Sequence, residues 1–586
     1  MRIDKRLIVV MGTLALMINA CGAVSAAVPR VEEMSQSSVI GRRAPRVIES
    51  ALDDGQAAVK AKAIKEAMDA AEDSLLAVPQ EKIQKADQAA EASFLVRKVQ
   101  VKDSLLLTDA ILAPFIKPFE GRQQTMSAMQ GLADQITAEY RRRGYLSSQA
   151  YIAPQEVADG VFTISVLEGR IGRITFEGNR HYSSDVLRRY CVIHEGDFFS
   201  YQALQNTVFK LNAHPDRVVR AIIRSGDAPG QTDIIFKVEE KGLVASNLLV
   251  DNQGSKPVGQ DRLGLGLRRD NLFGQDDILR MGTMMGKDFG SGFIEHALPV
   301  PKINSVWKTG VSYANSVPKK QYKPYGVNST TMDYWGKLET RFITEERLAL
   351  DWRTGIDFKE SLTRILSATD SRERLRVVRF GPTMTLRDDF GVTVVDDQFS
   401  LGLHTLGASL NSASSRRPGV TPAFLASDLS IERMQKMPLD TRLSLKGRSH
   451  LSPDKQPASE QMPLGGADTV RGYPEGNYFA DQGLLVNAEY LVPFFFLPDT
   501  WKMPWTKERM RDSLDFAVFF DQGFGWVKGA GNDQKASESL SGTGVGVRAR
   551  MASNIYFTTD FAYAVGARPD LTDHRFRIHS GIQANF

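Results

Sequence analysis

Asp515-Phe516-Ala517-Val518-Phe519-Phe520-Asp521-Gln522-Gly523 is the stretch on which the fold turns. Phe516, Val518 and Phe520 alternate with Asp515, Ala517, Phe519 and Asp521. A period of two belongs to a strand with two unlike faces. If the Phe516 face meets lipid, Asp521 points the other way. The same beat runs from about Leu243 to Phe586. Leu263, Leu265 and Leu267 alternate with Gly264, Gly266 and Arg268. Leu348, Leu350, Trp352, Ile356 and Phe358 alternate with Asp351, Arg353 and Asp357. Phe576, Ile578, Ile582 and Phe586 alternate with Arg575, Arg577, His579 and Gln583.

A soluble antiparallel sandwich and a membrane barrel both produce this pattern. Three features favour the barrel. The polar faces carry Arg, Asp and Glu continuously, as a water-filled lumen requires. Closure satisfies every backbone group in lipid without a helix. The chain also ends on Phe586 at the tip of an alternating strand. At roughly 20 residues per strand and turn, residues 243–586 give about 16 strands, within the bacterial range.

Composition agrees. Of 586 residues, 42% are hydrophobic and 24% charged, which excludes a disordered chain. After the N-terminus no run approaches the roughly 18 apolar residues of a membrane helix. Lys+Arg 73 against Asp+Glu 69 gives +4, a near balance that argues against a nucleic-acid binder.

Working toward the N-terminus, residues 93–169 and 170–241 form two successive β-α-α-β-β units, similar in fold and not in sequence. In the first, Met126, Met129, Ala133, Ile136 and Tyr140 mark a helix stopped near Gly144. In the second, Leu204, Val208 and Leu211 mark another. Residues 28–92 are polar and Ala-rich, with Ile64, Met68, Ala71 and Leu75 on one helix face. That stretch reads either as a solvated helix with a linker or as a helix that docks inside something. Residues 1–27 read as a secretory signal, with Arg2, Lys5 and Arg6 before an apolar Leu7–Ile18 core. A lipoprotein signal using Cys21 is the alternative. After cleavage near Ala26 only Cys191 remains, so no intramolecular disulfide can form. The remaining domain, 242–586, is the barrel.

No catalytic, cofactor-binding or metal site emerges. There is no G-x-S-x-G elbow and no phosphate-binding loop. His194-Glu195 begins like a zinc-protease helix but lacks the second histidine, and the eight histidines form no cluster. What stands out is Leu464-Gly465-Gly466-Ala467-Asp468-Thr469-Val470-Arg471-Gly472-Tyr473. Its glycines permit a sharply folded loop, and Arg471 offers a planar fork for a carboxylate. Asp521 is the candidate partner, since a buried carboxylate needs a cation. On residue types alone, an exposed hairpin with an unpaired Arg471 and a water-solvated Asp521 is the simpler alternative and stays open.

These residues resemble the two-partner secretion transporters, the TpsB-type branch of the outer-membrane polypeptide-transport superfamily. Val470-Arg471-Gly472-Tyr473 looks like the family's VRGY loop motif, and Phe520-Asp521-Gln522-Gly523 like its F-D-x-G strand motif. Asp251-Asn252-Gln253-Gly254 and Asp270–Asp277 are similar to the opening of its barrel. The two β-α-α-β-β units look like its two polypeptide-transport-associated (POTRA) domains. The resemblance implies a 16-stranded transmembrane barrel with POTRA domains in the periplasm and a loop folded back into the pore. It pairs Arg471 with a lumen-facing Asp521. It makes Phe586 resemble an assembly signal, read by barrel-assembly machinery. It also implies a plug helix, for which Pro45–Leu76 is the candidate. The implied partners are outer-membrane lipid and a secreted exoprotein with an N-terminal secretion domain (TpsA-type). The exoprotein is expected to reach the first POTRA domain unfolded and to pair with an exposed sheet edge. A barrel insertase of the same superfamily and a passive porin are the alternative readings.

Overall fold

The computed structural model describes residues 93–586 except 213–215, 346, 411–416, 418, 504–507, 532–533, 552–553 and 567–573. The expected signal peptide, Cys21 and plug helix lie outside the described residues.

The first POTRA unit is a three-stranded sheet in the order Lys98–Lys102, Val161–Leu167, Gln149–Tyr151, beside a small pair Phe94–Val96 and Arg122–Gln124. Helices α1 (Asp109–Ile116) and α2 (Met126–Arg142) cover one face. Thr125 caps α2 by accepting from the Ala128 amide at 3.2 Å, which satisfies one of the helix's orphan donors. Met129, Ala133, Ile136 and Tyr140 are buried against Phe162, Ile164 and Val166. The larger of these, such as Met129, Ile136 and Phe162, each contribute about 1.5–3 kcal/mol. Met126 departs from the expected stripe. It is exposed, because it occupies the first helical turn beyond the sheet. Helix α1 had no sequence signal, since Pro114 interrupts it and the run around it is apolar throughout.

The second unit repeats the plan. Its sheet runs Arg170–Glu177, Gln231–Glu240, Arg217–Ser225, with α3 (Ser184–Arg188) and α4 (Tyr201–Leu211) packed on it. Ile174, Leu204, Val208, Leu211, Val219 and Phe236 form the core. Cys191 packs against this core, and burial pushes its thiol up to about 12.

Sixteen antiparallel strands then close on themselves. They are β1 Val244–Asp251, β2 Arg262–Asp270, β3 Ile278–Gly286, β4 Phe289–Val300, β5 Ser305–Ser316, β6 Asn328–Thr344, β7 Leu348–Ile365 and β8 Ala368–Asp388. The rest are β9 Gly391–Gly402, β10 Leu425–Lys436, β11 Arg442–Leu451, β12 Gln482–Pro493, β13 Leu514–Trp526, β14 Ser537–Arg550, β15 Ile555–Ala564 and β16 Phe576–Asn585. A two-residue strand, Ser409–Leu410, adds to the edge of β8. The alternation is explained by the two solvents. Leu263, Leu265 and Leu267 are exposed on the outside, while Gly264, Gly266 and Arg268 face inward and are buried. Strands β6 to β8 run 17, 18 and 21 residues, well beyond the roughly 9–11 that a bilayer needs. They therefore project past the membrane. The barrel closes where Asn247–Asp251 of β1 pairs with Gly581–Asn585 of β16. Phe586 extends that seam by donating its amide to the Ser246 carbonyl at 2.7 Å and accepting from the Ser246 amide at 2.9 Å.

Candidate functional site: a loop anchored inside the lumen

The connection from β11 to β12, residues 452–481, turns back into the barrel. A short hairpin, Met462–Leu464 with Tyr478–Ala480, carries it inward. At its tip Gly472 has φ +93°, and a Cβ there would lie 2.7 Å from the Ala564 amide nitrogen. Only glycine combines that backbone with that approach. The wall makes room in the same way. A Cβ on Gly542 of β14 would meet the Arg471 carbonyl oxygen at 2.0 Å, and one on Gly523 of β13 would meet Val470 at 2.9 Å. Val470, Tyr473, Leu464, Leu485, Leu540 and Ala564 form an apolar cluster that seats the tip.

Arg471 is 6% exposed and Asp521 is fully buried. The Arg471 Nε donates to Asp521 Oδ2 at 2.7 Å, and Nη2 donates to Oδ1 at 2.9 Å. The Arg471 backbone amide adds a third bond to the same carboxylate at 3.1 Å. Its Nη1 donates to Glu489 at 2.7 Å and to Asp560 at 3.3 Å. The guanidinium lies over the Phe519 ring, 3.5 Å from its centroid. Asn487 bonds both Asp521 and the Thr469 carbonyl, at 2.8 and 2.6 Å. Arg548 braces the set by contacting Glu489 and Asp560. Three strands, β12, β13 and β15, thus supply carboxylates to one loop arginine. Phe520 stands on the lipid face of β13, one residue from the contact.

The loop is also tied to the opposite wall. Glu460, in the turn Ala458–Glu460, accepts from Lys359 of β7 at 3.0 Å and from Arg379 of β8 at 3.1 Å. Nearer the barrel end, Asp481 takes Arg417 bidentately at 2.8 and 2.6 Å. Glu489, Asp560, Glu460 and Asp481 had no sequence signal. Isolated acids on or beside alternating strands look like solvated lumen charges until the loop's path is known.

A second charged joint connects POTRA 2 to the barrel. The β2–β3 turn, Asn271–Asp277, packs on the start of strand Arg217–Ser225. Arg217 grips Asp276 bidentately at 2.6 and 2.8 Å, and both side chains are 0% exposed. The Arg217 guanidinium lies beside the Tyr182 and Tyr190 rings at 4.8 and 5.5 Å. Burial first, then the neighbouring carboxylates, hold both tyrosine hydroxyls well above their ordinary range. Asn271 donates to the His181 carbonyl at 2.8 Å, and Asp277 meets His296 at 2.9 Å. Among the described residues no His, Cys, Asp or Glu cluster is arranged to hold a metal ion. His194 and Glu195 lie in a loop, where Glu195 accepts from the Ile174 amide at 3.0 Å.

Comparison with known proteins agrees with this architecture. Residues 230–549 match the family described as haemolysin secretion/activation protein ShlB/FhaC/HecB. Residues 94–169 match a ShlB-type POTRA domain, and residues 169–241 match a POTRA family described as surface antigen variable number repeat. Heme/hemopexin transporter protein HuxB of Haemophilus influenzae is 21% identical over 412 residues, covering 68% of this chain and 72% of that protein. Outer membrane transporter CdiB of Dickeya dadantii is 22% identical over 507 residues, covering 83% and 86%. The solved structure of CdiB from Escherichia coli superposes with a TM-score of 0.63 at 18% identity, over 91% of this chain and 99% of that one. With more than half of its length matched, two POTRA units and a closed sixteen-stranded barrel, the chain belongs to the ShlB/FhaC/HecB secretion/activation family of outer-membrane two-partner secretion transporters.

Proposed function

We propose that the chain exports one large exoprotein, bearing an N-terminal secretion domain, from the periplasm to the cell exterior. The cargo engages the POTRA units in extended form and threads a lumen lined by the polar side chains described above. No nucleotide is needed where folding outside makes each step hard to reverse. Arg471 and Asp521 hold the folded-back loop in its working position, and Phe586 marks the chain for the barrel-assembly machinery.

One observation carries this reading. The loop crosses the bore held by ion pairs on separate walls, not by a continuous ladder. Such contacts can be exchanged for water or cargo without unravelling the barrel.

The test compares a deletion strain with its parent. The expected result is loss of one very large protein from the medium with an unchanged set of barrels in the outer membrane. The opposite pattern, barrels lost from the membrane, selects the insertase reading. A chain lacking residues 93–170 should insert as a heat-modifiable barrel and export nothing.

A further inference from the structure

On β7 and β8 the outward face of the barrel changes character part-way along. Cross-strand partners share a face, and Val378 pairs with Leu401, which is exposed on the lipid side. The outward residues of β8 therefore run Phe380, Val378, Arg376, Arg374 and Arg372 toward the extracellular end. The facing column on β7 runs Thr354, Ile356, Phe358, Glu360 and Leu362, with Arg364 beyond. In the lower part Trp352, Phe380 and Phe399 stack, with ring centroids 6.4 and 5.5 Å apart. Arginines on the lipid face are costly at hydrocarbon depth and cheap at its edge. The change at Arg376 therefore marks the level where lipid headgroups begin.

Little of this charge is neutralised within the protein. Glu360 is shared between Arg376 at 3.4 Å and Arg374 at 3.9 Å, and Arg376 also donates to the Leu406 carbonyl at 2.9 Å. Glu373 points the other way, toward Ser459 of the lumen loop, and Asp370 sits in the bulge at the hairpin tip. Arg364 and Arg372 are exposed and, among the described residues, meet no carboxylate. The β5–β6 connection enlarges the patch. Its Tyr322 and Val327 bury against Ile365, and its Tyr325 carbonyl accepts from the Leu366 amide at 2.8 Å. That packing sets exposed Lys319, Lys320 and Lys323 beside the β7–β8 tip, again with no carboxylate partner among the described residues. Exposed Tyr313 and Tyr334 stand on the lipid face just below, where interfacial tyrosines belong.

We propose that this patch, Arg364, Arg372 and Arg374 with Lys319, Lys320 and Lys323, binds the phosphate groups of lipid headgroups in the outer leaflet. Position argues for it first. The patch continues the lipid-facing surface of the same strands, so headgroups rather than bulk water lie against it. Chemistry argues for it second. Arginines at successive outward positions stand about 7 Å apart along a strand, close enough for two planar forks to meet one phosphate. The lysines add compact charges around them. A lipid held there grips the outside of the two strands whose inner faces carry Lys359 and Arg379 to Glu460.

The test uses the purified full-length transporter in detergent. It is mixed with lipid A carrying two phosphates, or with the same glycolipid stripped of phosphate, and retained lipid is counted by native mass spectrometry. The phosphorylated form should be retained about tenfold better, with retention falling as salt is raised. Arg364→Ser combined with Arg372→Ser should lower that retention about tenfold. Inorganic phosphate at the same concentration should leave it unchanged, because it lacks the acyl chains that hold a headgroup at this level. Should the arginine pair lower the heat-modifiable fraction, Lys319→Ser, Lys320→Ser and Lys323→Ser together provide a second arm, with the same expected loss and every barrel strand untouched. Equal retention of the two glycolipids, parental retention by both variants, or displacement by inorganic phosphate overturns the proposal.

Discussion

Arg217 and Asp276 belong to different domains, yet neither shows any surface to solvent. Joints between domains are ordinarily polar, hydrated and movable. A buried bidentate pair flanked by two tyrosine rings makes this one a fixed joint. Removing one partner strands a buried charge, at a cost of about 3–5 kcal/mol. Arg217→Ala should therefore free POTRA 2 from the β2–β3 turn. The expected result is faster protease cleavage between residues 241 and 244 and reduced export, with the barrel still inserted. Unchanged cleavage would show that the remaining contacts suffice.

Arg471 meets three carboxylates and a ring, which only a planar fork can serve together. Arg471→Ala should leave the barrel in the membrane and sharply reduce secretion. Arg471→Lys should rescue little, since an ammonium cannot bind Asp521 bidentately while reaching Glu489. Secretion assays on both variants, normalised to membrane level, decide the point. Normal export by Arg471→Ala would remove the anchor role.

Gly542 tests the same contact from the wall. A methyl there would lie 2.0 Å from the Arg471 carbonyl oxygen, so the loop tip must shift. Gly542→Ala should reproduce the secretion defect of Arg471→Ala without altering any charge. Export at the parental level would mean that the tip has room to spare.

Phe586 completes the seam through two backbone bonds to Ser246. Deleting it removes these bonds and the terminal aromatic ring. Slower assembly and a lower membrane level are expected in pulse-chase extraction. Unchanged levels would dismiss the assembly role.

Glu139 supplies a pH dependence. Arg142 and Arg143 bond its carboxylate and hold its pKa down at about 2. The folded value lies below the unfolded one, so the group stabilises helix α2 above about pH 4.3. That contribution fades as the pH falls from there toward about 2. Hydrogen-exchange protection in Met126–Arg142, taken relative to the intrinsic rate at each pH, should fall over this window, and Glu139→Gln should flatten the response. An identical acid profile in both proteins would assign the transition to other groups.

The barrel was legible because lipid and water impose opposite demands on adjacent residues. Leu263, Leu265 and Leu267 declare the outer face without any knowledge of neighbours. The pairing of Arg471 with Asp521 could be read from chemistry and a resemblance, because both sit in short distinctive motifs. Glu460 and its partners Lys359 and Arg379 could not. Glu460 lies 101 residues from Lys359 and 81 from Arg379 in sequence, and the distance closes only when a loop crosses the bore. The Arg217–Asp276 joint was hidden for a related reason. Asp276 sits in a turn that reads as barrel, Arg217 in a strand that reads as POTRA, and neither periodicity reports on contacts between domains.

The loop that leaves β11 touches β7 and β8 on one side and β12, β13 and β15 on the other. It therefore acts as a spoke across a wheel. An increase in the wheel's diameter pulls Glu460 from Lys359 or Arg471 from Asp521. By linkage the converse holds equally. Anything that loosens either end of the spoke favours a wider rim, and anything that swells the rim favours a detached spoke, with one coupling free energy governing both.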